Sequence, residues 1–162
     1  MQDVSPSALL EVVMEYMDKL GWNYVISDER TMRFPISCEN GKYYCTLIAD
    51  DNRNFVCLYS VLPNYIPYDK RHDVSEFITR ANYGMNIGNF EMDFSDGEVR
   101  FKTSMTTYDQ PPGDGDLACL VHTNIGTLDN YMKGIMGVVY GGKTPTEAIY
   151  EIEGPPRAGR DQ

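Results

Sequence analysis

Gly137-Val138-Val139-Tyr140-Gly141-Gly142-Lys143-Thr144 fits the written pattern of a phosphate-binding loop. That chemistry needs a strand ending at the first glycine and a loop of free backbone amides wrapped around the phosphates. Here the cradle positions are Val-Val-Tyr, the apolar end of a helical stripe, and only 18 residues follow Thr144. Helix end, glycine stop and capping box account for every residue, so the match is read as false. No cofactor is expected.

Other chemistry-bearing residues give way to the same kind of reading. Glu91 and Asp93 followed by Ser95-Asp96-Gly97-Glu98 hint at a calcium loop but lack the alternating ligands and distant bidentate glutamate of one. A turn with glycine in the left-handed position explains them. Cys119 and His122 share a helix face, but a structural zinc needs four ligands and no second close pair exists. His72 lies in a charged run, Asp69-Lys70-Arg71-His72-Asp73, and reads as solvated surface. Asp116 is assigned as the N-cap of a long helix. No nucleophile elbow or His-Glu-x-x-His helix is present. Neither catalytic nor metal-ligating residues are assigned. The residues left for function are tyrosines: of 12 in the chain, Tyr59, Tyr65 and Tyr68 gather where a strand leaves the sheet. Tyrosine gives large contact area at low entropic cost, so these three are candidate partner-binding residues.

The elements that must position them follow from periodicity. Ser5-Pro6 is read as a cap ahead of an amphipathic helix with Leu9, Val13, Tyr16 and Leu20 on one face and Gly21 as its stop. Trp22–Ile26 is a candidate short strand. Thr31–Cys38, Tyr43–Ala49 and Phe55–Leu62 are strands joined by short polar turns, hence an antiparallel meander. Asp73-Val74-Ser75-Glu76 opens a second helix carrying Phe77, Ile78, Ala81 and Met85, broken at Gly88-Asn89. Phe90–Phe94 and Val99–Thr103 alternate around a turn as a hairpin. From Leu117 to Val139 apolar residues recur every three or four positions, a long helix. Its Gly126, Gly134 and Gly137 predict close packing of the helix backbone against a neighbour. Thr144-Pro145-Thr146-Glu147 is a capping box for a short last helix. The expectation is one α+β domain over residues 1–153, in two layers. Its helices pack on an antiparallel sheet of about five strands. Residues 154–162 are expected to be a disordered tail.

Composition limits the partners. With 24 acids against 14 scattered bases the formal charge is -10, which argues against nucleic acid and anionic membrane surfaces. No apolar run reaches the roughly 18 residues of a membrane span, and the N-terminus shows no secretion signal. Cys38, Cys45, Cys57 and Cys119 are therefore read as reduced thiols of a cytoplasmic protein. A reversible disulfide between Cys45 and Cys57 across the meander stays open beside that reading.

Phe77-Ile78-Thr79-Arg80-Ala81-Asn82, Gly88-Asn89-Phe90-Glu91-Met92-Asp93 and Asp96-Gly97-Glu98-Val99-Arg100-Phe101-Lys102 together resemble the bacterial YbjN-domain family. The resemblance runs over roughly residues 5 to 140 and implies the fold of type III secretion chaperones. It also implies a domain that dimerises and binds other proteins without a cofactor. No catalytic residue is carried over. The expected function is a non-enzymatic regulatory or chaperone-like module, a homodimer, binding a protein partner through its exposed sheet face and long helix. The competing expectation is an enzyme or small-molecule-binding domain with an unrecognised pocket.

Overall fold

The computed structural model describes residues 5–108 and 110–155. From Pro156 onward the expected disordered tail lies outside the described residues. The chain runs α1 (Ala8–Leu20), β1 (Val25–Asp28), β2 (Thr31–Ser37), β3 (Lys42–Asp50) and β4 (Phe55–Val61). A 3-10 turn (Tyr68–Lys70) leads into α2 (Arg71–Asn82), β5 (Asn89–Met92), β6 (Val99–Thr106), α3 (Asp114–Val139) and α4 (Pro145–Glu153). The six strands form one antiparallel sheet in the order β1-β2-β3-β4-β6-β5. The sixth strand is β1, whose short run pairs Val25 with Arg33 and Ile26 with Met32. The hairpin β5–β6 returns after α2 and joins the meander through β6 against β4.

Four helix starts test the capping assignments. Ser7, rather than Ser5, caps α1, because its hydroxyl accepts from Leu10 N–H three residues on. α2 begins at Arg71, ahead of Asp73, because the preceding 3-10 turn feeds directly into it. Asp116 is not the N-cap of α3. Gly113 takes that place, and the Asp116 carboxylate reaches back to accept the Gly113 N–H at 2.9 Å. Only at α4 do Thr144 and Glu147 form the reciprocal box read from the sequence.

Period-two alternation sends Met32, Phe34, Tyr43, Cys45, Leu47, Val56, Leu58, Phe90, Val99 and Phe101 toward the helices, where all are buried. Two adjoining clusters fill that side. α1 and the first half of α3 cover β2 to β4, and α2, α4 and the second half of α3 cover the β5–β6 end. A fully buried Leu or Phe contributes about 1.5–3 kcal/mol, so this one-sided core carries the fold. Gly134 is where α3 meets α2: a Cβ there would lie 2.4 Å from the Phe77 ring. Gly126 faces open space. The close approach predicted from the helix glycines is thus internal to the chain at Gly134.

One polar group crosses the core. Asn124 of α3 is fully buried, accepts from the Ser60 hydroxyl and donates to Leu58 O, Phe101 O and Thr103 Oγ1. It thereby grips β4 and β6 together. No buried side-chain nitrogen or oxygen among the described residues lacks a partner, as a stable polar insertion requires.

Candidate functional site

With every helix on one side, the other face of the sheet is bare among the described residues. Strand register places its residues in rows. Pro35, Tyr44, Val61, Arg100 and Glu91 form one cross-strand row, and Arg33, Thr46, Tyr59, Lys102 and Asn89 form the next. A third joins Thr31, Ile48, Cys57 and Ser104. The two central strands therefore supply a mostly apolar floor: Tyr44, Thr46 and Ile48 from β3, and Phe55, Cys57, Tyr59 and Val61 from β4. Tyr44 is 68% exposed, while Ile48, Phe55, Tyr59 and Val61 are half-buried by one another. Large side chains left open on a flat face are the usual mark of a recognition surface.

The margins of that floor are charged. On β6 the Arg100 guanidinium stacks 4.4 Å from the centre of the Tyr59 ring and pairs with Glu91 at 2.8 Å. Lys102 also pairs with Glu91, and Glu98 lies 4.0 Å from Arg100. Partial burial alone would raise the Glu91 pKa, but hydrogen bonds from Lys102 and Arg100 outweigh it and hold the carboxyl below its usual range. On the opposite margin Arg33 and Lys42 are exposed and make no ion pair with a described residue. The Cys57 thiol in the floor is pushed up by burial, and Tyr59, hydrogen-bonded to Cys57 and partly buried, is pushed up to about 12. Both are neutral at physiological pH, so the floor offers contact area rather than a nucleophile.

Tyr59 belongs to this face. Tyr65 and Tyr68 do not sit in its rows: they are exposed on the exit loop and the 3-10 turn, and Tyr68 packs 5.4 Å from the Arg71 guanidinium. The sequence signal for Tyr44, Ile48 and Val61 was weak for a physical reason. β3 and β4 are apolar at both parities, so alternation alone does not say which set faces the helices. Register also separates the two candidate disulfide partners. Cys45 pairs with Ser60 and points to the helices, whereas Cys57 pairs with Ile48 and points to the bare face. They lie on opposite sides of the sheet, so a bridge between them is ruled out.

The remaining chemical candidates have structural partners. The Gly141 and Lys143 amides donate to Gly137 O, Lys143 Nζ pairs with Glu151, and Thr144 caps α4. The segment is a helix stop followed by a helix start, with those amides already bonded to the chain. In the β5–β6 turn, Gly97 adopts φ +88°, and Arg71 donates to the carbonyls of Phe94, Ser95 and Asp96. A side-chain cation thus occupies the carbonyls that a calcium ion would need. Cys119 lies 4.0 Å from Thr123, and His122 contacts the Tyr16 hydroxyl at 3.3 Å beside Trp22. Among the described residues no cluster of three or more His, Cys, Asp or Glu side chains is placed to hold a metal ion. Nor is any helix among them long and apolar enough to cross a membrane.

The described residues define an α+β protein with four helices on one face of a six-stranded antiparallel sheet and the other face open. Residues 9–135 match the YbjN family, described as "Putative bacterial sensory transduction regulator". The chain belongs to that family. Its fold is similar to the crystal structure of YbjN from E. coli, titled a putative transcription regulator. That match has a TM-score of 0.56 and 10% identity, over 82% of this chain and 90% of that one. A weaker likeness, with a TM-score of 0.47 and 17% identity, is to the structure of the HopA1-SchA chaperone-effector complex. It covers 77% of this chain and 90% of that one. No curated protein matches the chain.

Proposed function

We propose that this YbjN-family protein is a non-enzymatic regulatory or chaperone-like module that binds a protein partner on the bare face of its sheet. One observation carries the reading: the central strands present a patch of Tyr44, Val61, Tyr59 and Ile48, spread over three adjacent cross-strand rows, that no helix of the described chain covers. A rigid six-stranded scaffold presents that patch, so binding costs little ordering of the module itself. Tyr65 and Tyr68, one short loop beyond the end of β4, extend the proposed contact at its rim. The proposed setting is the cytoplasm, consistent with four unpaired cysteines. A homodimer is part of the proposal on the family relationship alone, and a monomeric mass by light scattering at high concentration would remove it.

The test is quantitative affinity capture from the protein's own cells. Wild type is compared with Tyr44→Glu and Ile48→Glu, and with Tyr140→Glu as an exposed control at the end of α3. A specific partner retained by wild type and the control, but lost by both face variants, supports the proposal. Identical partner sets for all four proteins overturn it.

A further inference from the structure

We propose that the occupant of the bare face is an amphipathic α-helix of another protein, with an apolar stripe on the β3–β4 floor and acidic residues along the flank over β2 and the start of β3. This rests on the reading of that face as the binding surface and specifies what it takes. Three observations combine.

The first is backbone accounting. β3 and β4 are interior strands, each already paired on both sides. A segment laid across their face finds no free ladder groups to join, so its own N–H and C=O groups must be satisfied within itself. A helix meets that condition and an extended strand does not.

The second is width. Arg33 on β2 and Lys102 on β6 lie in the same row, separated by Thr46 and Tyr59. Three strand spacings put their backbones about 14 Å apart. A helix with its side chains is about 10–12 Å across. The floor therefore seats one helix, with Arg33 and Lys102 at its two sides.

The third is charge. Arg33, Lys42, Arg100 and Lys102 face this side against Glu91, Glu98 and, at the β1 edge, Asp28, while Asp50 is paired by Arg30, so the surface keeps a small positive excess on a chain of formal charge -10. The β6 margin is internally balanced, because Glu91 and Glu98 engage Arg100 and Lys102. Arg33 and Lys42 have no such partners among the described residues, which places the partner's acids on their flank. A second copy of this chain fits poorly. Its exposed α1 positions are Ala8, Glu11, Glu15, Asp18 and Lys19, with no large apolar residue to lay on the floor, and pairing two bare faces would set the same unpaired cations on each.

The probes are three fluorescein-labelled peptides of one helical design with a Leu/Ile stripe. Their flanks are Glu, or Lys, or Glu with two central prolines. Anisotropy is measured with the full chain, and light scattering gives its mass. The Glu-flanked helix is expected to bind saturably and at least about tenfold more tightly than the Lys-flanked one. Arg33→Glu/Lys42→Glu, two exposed substitutions checked for fold by circular dichroism, should remove or reverse that preference. The proline peptide should lose binding, since it keeps the charge but not the helix. Equal binding of both charge types, full binding by the proline peptide, or no saturable binding at about millimolar peptide overturns the inference. So does a dimer that the Arg33→Glu/Lys42→Glu change dissociates, which would make a second copy the occupant. Failure here with face-dependent partner capture intact would leave the binding face standing and reject only the acidic helix.

Discussion

Asn82, the last residue of α2, holds both backbone polar groups of Phe90: the Phe90 N–H donates to Asn82 Oδ1 at 2.7 Å, and Asn82 Nδ2 donates to Phe90 O at 3.0 Å. Phe90 lies on β5, the outer strand of the sheet, paired on its inner side to β6. Outward-facing backbone groups on such an edge are templates for unwanted pairing. The side-chain amide acts as a one-residue substitute strand and closes the edge. This relationship also gives a physical role to the asparagine in the stretch that resembles the family.

Asn82→Ala is therefore expected to cost about 1–3 kcal/mol, since it strands the Phe90 N–H and leaves Phe90 O only the longer bond from Asn89 Nδ2 at 3.3 Å. Urea unfolding followed by circular dichroism measures it. Asn82→Asp keeps the acceptor and loses the donor, so it should fall between wild type and Asn82→Ala. A drop no larger than a surface substitution would show that water replaces the amide without penalty.

The two α3 glycines should respond with opposite signs. At Gly134 a Cβ would meet Phe77 at 2.4 Å and the Ile152 methyl at 2.7 Å, with both side chains packed in the core. Gly134→Ala is expected to destabilise by about 1–3 kcal/mol through overpacking. Gly126→Ala meets nothing within 4 Å, so helix propensity alone should stabilise by about 1 kcal/mol. Thermal unfolding of the pair checks both signs at once.

Much of the architecture is legible in the chain because local signals and tertiary demands agree. α4 is marked by Thr144, Pro145 and Glu147, and the β5–β6 turn by Gly97, and each stands where those residues put it. Starts drifted where capping was ambiguous. At α1 two serines compete, and at α3 an aspartate three residues into the helix reaches back as effectively as one at the cap itself. The proposed binding face was less legible. Tyr43 and Tyr44 are adjacent and chemically identical, yet one is buried against Asp129 of α3 and the other is exposed. Only the cross-strand register, a non-local property, separates them. Arg33 and Lys42 become one margin only when β2 and β3 pair.

The nucleotide-loop pattern at Gly137 to Thr144 offers a clean negative. Thr144 accepts the Glu147 N–H and Glu147 returns a bond to the Thr144 N–H, so the hydroxyl serves the helix start. Thr144→Ala should lower stability by about 1 kcal/mol as a lost N-cap. Calorimetric titration of wild type with ATP and magnesium should show no saturable heat. A saturable signal lost in Thr144→Ala and Lys143→Ala would restore the phosphate reading.

Glu91 joins stability to the proposed recognition. Its folded carboxyl is held below the ordinary value, chiefly by Lys102 and Arg100 working against the opposing effect of burial. A depressed acid contributes stability that is present above its unfolded pKa of about 4.3 and is lost as pH falls through its lower folded value. The stability gap between wild type and Glu91→Gln should therefore be constant from neutral pH down to about pH 5, then close as the solution becomes more acidic. Denaturant midpoints across that range measure it. The same substitution leaves Arg100 and Lys102 without their shared carboxylate, making the second margin of the floor positive as well. At neutral pH Glu91→Gln should consequently bind the Glu-flanked helical peptide more tightly than wild type while unfolding more easily. Weaker binding in this variant would mean that Glu91 orders the face for its partner rather than competing with it.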